Sequence, residues 1–251
     1  MSRYISPFLY FSMIFVGCMA FFSIAGVRVG MIEPITGFSF LRKSVFAALV
    51  LSCIAALSVL LFRRRSESGK LRFCGLILIV SLTYSTLWIA FYLQKLGLPK
   101  INDITTDTVV PPSYIYVPYI RKSSDNDLVY NHEWAELQNK FYPNVKPLEM
   151  KKSKDSVYAA AVDLMNEKGW QIVSKYPTAG IVEATARTTI FGFRDDVIVR
   201  IMEENDYVRI DMRSCSRMGV QDFGENAERI TTFLNDLKNK FAFKKSIAFR
   251  Y

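Results

Sequence analysis

Residues 197–212 read Val197-Ile-Val-Arg-Ile-Met-Glu-Glu-Asn-Asp-Tyr-Val-Arg-Ile-Asp-Met212. Val197, Val199 and Ile201 recur at every second position, and Val208, Ile210 and Met212 repeat the pattern. Alternation of this kind is the period of a strand with one face on a core. Glu204-Asn205-Asp206 between the two runs is turn chemistry, so the stretch reads as an antiparallel hairpin. Upstream, across Gly180 to Thr188, Val182, Ala184 and Ala186 alternate with Glu183, Thr185 and Arg187, the pattern of a half-buried strand. Trp170 to Lys175 reads as another.

Two helical stripes flank these strands. Val157, Ala161, Leu164 and Met165 recur at i, i+4, i+7 and i+8, with Asp155 or Ser156 to cap the start and Gly169 to close the end. Ile230, Phe233, Leu234, Leu237 and Phe241 form the second. The order helix, about four antiparallel strands, helix predicts an α+β domain over 151–251 with its helices on one face of the sheet. Residues 95–150 are punctuated by Pro99, Pro111, Pro112, Pro118, Pro143 and Pro147 yet rich in Tyr and Val. They read as an extended segment packing its aromatics on the domain, with a short helix over His132–Lys140.

The first 94 residues are of another kind. Uncharged runs cover about 4–27, 44–62 and 73–94, each long enough to cross a hydrocarbon core of roughly 30 Å at 1.5 Å per residue. They predict three transmembrane helices. The first apolar run exceeds the core of a typical signal peptide and two more follow it, which favours a span over a cleaved leader. No formal charge lies within the spans, so they read as an anchor and helix-packing module rather than an ion path.

At 251 residues, with 22 % charged and 51 % hydrophobic residues, the chain is neither disordered nor a small disulfide scaffold. The net charge of +9 lies mostly beside the apolar runs, where nine Lys/Arg face two acids, Glu33 and Glu67. A nucleic-acid partner would need that excess on the polar half, so none is expected. Arg3 together with Arg63, Arg64, Arg65, Lys70 and Arg72, against Arg28, Arg42 and Lys43 in the other loop, puts the N-terminus in the cytoplasm. Everything after about residue 94 is then extracytoplasmic, periplasmic if the membrane is a bacterial inner membrane. Cys18, Cys53 and Cys74 fall in the spans. Cys215 and His132 are single in the polar half and sit at no metal-ligand spacing, so no metal and no cofactor is expected.

The polar half resembles DUF family 1499 over residues about 99–240. Ile101-Asn-Asp-Ile-Thr-Thr-Asp107 with Pro111-Pro112, Tyr142-Pro-Asn-Val-Lys-Pro-Leu148, Gly169-Trp170, Ile181-Val-Glu-Ala-Thr185 and Phe191-Gly-Phe-Arg-Asp-Asp-Val197 carry the resemblance. Val199-Arg200, Asp211-Met-Arg-Ser-Cys-Ser-Arg217, Gly219, Asp222, Gly224, Asn226-Ala227 and Arg229-Ile230 continue it. Val109-Val110 and Cys215 depart from the family pattern. The resemblance implies a domain and carries no reaction with it.

Among these residues Arg213, Ser214, Ser216, Arg217, Asn226 and Arg229 form a candidate anion site. Arginine forks match phosphate and carboxylate oxygens, and a helix N-terminus adds amide donors. Asp195, Asp196, Asp211 and Asp222 offer a competing account, a structural network neutralising Arg200, Arg213, Arg217 and Arg229, with Asp222 capping the last helix. Asp195, Asp196 or Asp222 would instead serve an envelope hydrolase or transferase, although neighbours on a strand point to opposite faces. A third reading makes the chain a scaffold or assembly subunit of a membrane complex. Binding of membrane lipids, and of an anionic head group, a glycan or another envelope protein, is the expectation carried forward. Oligomeric state is open.

Overall fold

The computed structural model describes residues 2–65 and 67–248, without the side chains of 2, 3 and 243–248. The ends of the predicted 1–94 and 151–251 segments, at residue 1 and at 249–251, lie outside the described residues, as do residue 66 and the side chain of Arg3. The chain divides into two compact units, residues 1–97 with 190–192, and residues 98–189 with 193–251.

The first unit holds three helices long and apolar enough to span a membrane, α1 (Ser2–Arg28), α2 (Pro34–Arg64) and α3 (Ser68–Lys95). They run past the uncharged stretches at both ends. Arg42 and Lys43, expected in the first loop, lie inside α2. Arg63 and Arg64 close α2, and Lys70 and Arg72 lie in the first turns of α3. Charge does not stop a helix; it only sets where the apolar part begins. Leu9, Leu51, Ala55, Phe62, Cys74 and Ile77 form the buried core of this unit. Gly37 brings α2 against the Ser23 carbonyl of α1, where a Cβ would overlap it. Ser44 and Tyr84 share a 2.7 Å hydrogen bond between α2 and α3, and the Ser85 hydroxyl donates to the Val45 carbonyl at 3.3 Å. Small residues and interhelical hydroxyls are the means by which helices hold together in lipid.

The second unit is an antiparallel sheet with helices. Its strands are β1 (Asp103–Thr105), β2 (Leu148–Met150), β3 (Gln171–Tyr176), β4 (Ile181–Arg187), β5 (Arg194–Glu204) and β6 (Tyr207–Ser216), in the order β1-β6-β5-β4-β3. Two strands more than the predicted four come from the proline-rich segment. β1 and β2 pair in succession along the outer edge of β6, at 213–215 and at 208–210. Each is three residues long, too short to show a period. The same segment forms α4 (Val117–Ile120) and α5 (Trp134–Phe141), the latter close to the predicted short helix. Gln138 of α5 treats the edge of β1 as a strand would. Its amide accepts from the Thr105 N–H at 3.0 Å and donates to the Thr105 carbonyl at 2.9 Å.

The hairpin turn falls where the sequence placed it but is two residues long, with Asn205 at φ +30° and Glu204 of the predicted turn still paired in β5. Helices α6 (Lys154–Glu167) and α7 (Glu225–Ala248) pack on one face of the sheet. Ser153 rather than Asp155 or Ser156 occupies the α6 cap, without a capping hydrogen bond, and the Ser156 hydroxyl donates back to the Ser153 carbonyl. Gly169, at φ +68°, ends α6, with the Trp170 amide closing onto Met165. The core between helices and sheet contains Val182, Ala184, Val197, Val199, Ile201, Val208, Ile210 and Met212 from the strands, facing Ala161, Met165, Ile230, Phe233 and Leu237.

The opposite face of the sheet is not open. Residues 106–130 run across it, so Glu183 and Thr185 are buried where the alternation predicted a solvent face. The Tyr114 hydroxyl donates to the Asp196 carbonyl at 2.7 Å, and the amides of Ile115 and Tyr116 donate to the Glu183 carboxylate. A polar strand face buried under a loop needs partners for every polar group it carries. The charged residues of the site supply them.

Candidate functional site

The strand period divides the Arg-Ser-Cys-Ser-Arg run between two faces. Ser214 and Ser216 lie on the helix face of β6, opposite Val197 and Asp195, while Arg213, Cys215 and Arg217 lie under the covering segment with Asp196 and Thr185. The candidate anion residues are therefore brought together as two groups rather than one.

Under the covering segment, Arg213 meets Asp103 in a two-pronged pair, Nε to Oδ1 at 3.0 Å and Nη2 to Oδ2 at 2.6 Å. It also donates to the carbonyls of Pro112 and Leu128, and its guanidinium lies over the rings of Tyr114 and Tyr130 at 5.1 and 5.6 Å. Burial opposes the charge, but the Asp103 hydrogen bonds and charge outweigh it and hold the guanidinium pKa above its ordinary value. Arg213 is committed to fastening the covering segment. Burial also pushes the neighbouring Cys215 thiol up to about 12, which leaves it protonated and unreactive.

Asp196 is the centre of a second cluster. Arg217 holds it with Nε at 2.9 Å and Nη2 at 2.8 Å, Arg121 reaches it with Nε at 2.7 Å, and the Thr185 hydroxyl donates at 2.8 Å. Asp211 is the centre of a third, where Arg200 and Arg209 bridge it to Asp107 and Thr106 donates to it at 3.1 Å. Asp107 also accepts from the amides of Val109 and Val110, whose side chains stand in solvent.

On the helix face, Arg229 pairs with Asp195 at 2.6 Å and donates to Ser214 at 3.0 Å and to Asn226. Asn226 accepts from Ser214 at 2.7 Å and donates to Ser216 and to the Asn102 carbonyl. Asp222 accepts from the amides of Gly224 and Asn226, which caps α7 across a turn where Phe223 and Gly224 both have positive φ. Burial pushes its carboxyl up to about 6 against the pull of those two amides. Asp195 and Asp222 thus share one face, and Asp196 looks to the other. Among the described residues no group of three His, Cys, Asp or Glu stands where a metal ion could be held. His132 is exposed, its Nδ1 3.2 Å from the Thr108 carbonyl.

One cavity of about 370 Å³ opens beside the Asp196 cluster. It lies over Thr185, between Gln171–Val173 of β3 and the side chains of Arg194 and Arg217, with Tyr116 and Ile120 of the covering segment on its wall. The register of β3 slips between Ile172 and Ser174, and this bulge frames the cavity on that side. Arg217 is 7 % exposed; its Nη1 makes no hydrogen bond among the described residues.

Residues 103–237, more than half of the chain, match the model of a family described as protein of unknown function, DUF1499. The chain belongs to the DUF1499 family. No curated protein matches it.

The DUF1499 match falls inside the 99–240 expected from the motifs, and its residues build the sheet, both covering layers and the charged clusters. Four charged partners escaped the sequence reading: Asp103, Asp107, Arg121 and Arg209. Asp103 and Asp107 read as parts of a loop motif, and Arg121 follows a short apolar stretch with no periodic neighbour. The pairing of Asp103, Asp107 and Arg121 with Arg213, Arg200 and Asp196 spans about 75 to 110 residues of chain, and nothing local marks it, while Arg209 reaches both the nearby Asp211 and the distant Asp107.

Proposed function

We propose that this DUF1499 protein is a membrane-anchored binding module whose polar unit stands on the extracytoplasmic side, periplasmic in a bacterial inner membrane, and takes up an anionic envelope component without chemical conversion. The cavity over Thr185 carries this reading: a recess beside a buried arginine whose terminal Nη1 has no partner among the described residues. An arginine fork left half-filled at the edge of a cavity is suited to a carboxylate or phosphate group. Lipid head groups and charged glycans both offer such groups. The orientation rests on Arg63, Arg64, Arg65, Lys70 and Arg72 around the α2–α3 connection, outnumbering Arg28, Arg42 and Lys43.

Catalysis by Asp195, Asp196 or Asp222 lacks comparable support. Asp196 and Asp222 have both oxygens engaged by arginines or capping amides, Asp195 is held by Arg229 through Oδ2, and none of the three lines the cavity.

Native mass spectrometry of the full-length protein released from nanodiscs tests the binding reading. A non-protein adduct is expected, reduced in Arg194→Gln. A subunit that carries only another protein would replace this reading with the scaffold one. A membrane-impermeant maleimide tests the orientation through Tyr119→Cys, at an exposed position of the covering segment. Labelling in intact cells is expected, and labelling only after lysis would reverse the orientation.

A further inference from the structure

Arg187 of β4 lies directly opposite Arg194 of β5, and the Arg217 amide bonds to the Arg194 carbonyl at 3.0 Å, which continues the same row onto the residue that follows β6. Three arginines thus stand side by side across β4, β5 and the end of β6, on the face under the covering segment. Strands lie roughly 4.8 Å apart, and like charges directly opposed across them repel. The next row along the sheet carries the carboxylate of Asp196, whose oxygens already serve Arg121, Arg217 and Thr185. The guanidiniums of Arg187 and Arg194 have no acceptor among the described residues. Other acids on neighbouring elements are engaged too: Glu183 by the Ile115 and Tyr116 amides and Ser174, Asp103 by Arg213, and Asp127 by the amides of Leu128 and Val129. Four arginines therefore face one committed carboxylate, and two of them, Arg194 and Arg217, line a cavity whose wall also carries Ile120, Ile172 and Val173 beside the polar Tyr116, Gln171 and Thr185.

We infer that this arginine row and its cavity bind the dianionic phosphate of a phosphomonoester, with Ile120, Ile172 and Val173 taking the group that bears it. A carboxylate would leave most of the row's charge uncompensated, whereas a phosphomonoester brings close to two negative charges and three acceptor oxygens. Those oxygens match the free Nη1 of Arg217 and the two unpaired guanidiniums. The inference rests on the proposed binding reading and names the ligand class within it.

The phosphate comes from a lipid head group or from a soluble phosphomonoester, and the two sources separate experimentally. Full-length protein is placed in phosphatidylcholine nanodiscs with and without phosphatidic acid, and inorganic phosphate or acetate is titrated in. Bound species are read by native mass spectrometry. Phosphate or phosphatidic acid is expected to bind, and Arg194→Gln and Arg187→Gln are each expected to weaken it roughly ten-fold or more, as loss of a charge-assisted hydrogen bond implies. Lys175→Gln removes an exposed charge outside the cavity and leaves binding unchanged. Retention of phosphatidic acid without affinity for inorganic phosphate assigns a lipid source, and the converse a soluble one. A carboxylate or glycan adduct, with no phosphate bound, overturns the phosphomonoester assignment and leaves the binding reading standing. No adduct of any kind overturns both.

Discussion

Arg213 and Asp103 form a bidentate ion pair across 110 residues of chain, with both side chains about 97 % buried. β1 and β6 place them on the same face of the sheet, and the covering segment closes over them through the carbonyls of Pro112 and Leu128. One side chain therefore joins the edge strand, the central hairpin and the loop layer.

Removing one member of such a pair leaves the other buried and uncompensated. Arg213→Gln is expected to cost roughly 3–5 kcal/mol, the usual range for breaking a buried pair. In thermal unfolding of the full-length protein followed by near-UV circular dichroism, the loss corresponds to a fall on the order of 10 °C. Arg213→Lys keeps the charge but not the fork and should fall in between. A melting temperature unchanged in Arg213→Gln would show that the pair does not hold the layers together.

The arginine row makes the opposite prediction. Arg187 and Arg194 are exposed and repel each other across β4 and β5. Arg187→Gln and Arg194→Gln are expected to hold or slightly raise the melting temperature in the absence of ligand. A marked fall in either would assign that arginine a structural partner and remove it from the binding row.

Asp222 gives a pH dependence of unusual sign. Its carboxyl is raised by burial from 3.8 to about 6, so the folded state holds the proton more tightly than the unfolded chain. Its contribution to stability is complete below about pH 4 and is lost as pH rises through about 6. The full difference is on the order of 3 kcal/mol. Unfolding free energy measured between pH 7.5 and 5 should rise on acidification in the native chain, and this part of the slope should vanish in Asp222→Asn. An identical slope in both proteins would place the titration elsewhere.

In the membrane unit, Tyr84→Phe deletes the hydroxyl that meets Ser44 without changing the ring. Loss of one interhelical hydrogen bond in lipid is expected to cost about 0.6 kcal/mol and no more than about 2. Gly37→Val should cost several-fold more, because its side chain must displace the Ser23 backbone of α1. Unfolding by titrated dodecyl sulfate in mixed micelles measures both. Equal effects would mean that the α1–α2 approach at Gly37 has no tight packing to lose.

The sequence reading and the structure agree most closely where a period had room to repeat. The β5–β6 hairpin extends over about ten residues a side, and α6 and α7 over several turns, so each residue reinforces the same assignment. β1, β2 and α4 span three or four residues and show no period at all. The burial of Glu183 and Thr185 was equally invisible. Alternation reports which side of a strand is apolar, but not whether a loop later covers the polar side.

The candidate site divides along the same line. Arg213, Arg217, Arg229, Asp195, Asp196 and Asp211 stood out as a cluster of opposite charges, yet their partners did not follow from composition. Counting four acids against four arginines balanced the charge, whereas the structure gives Asp103 to Arg213, gives Asp196 two arginines, and keeps Asp222 as a helix cap. The row of Arg187, Arg194 and Arg217 depends on register alone, and register is a property of paired strands.

By itself the sequence determined three apolar spans, an antiparallel hairpin flanked by helices, and the family of the polar half. Those properties are written in neighbouring residues, through hydropathy, period and motif. Tertiary structure alone decided which charges pair, which face of the sheet the loop buries, and where an arginine is left without an acceptor among the described residues. Ion pairs form between residues up to 110 positions apart. Their strength depends on distance and burial, which exist only once the chain has folded.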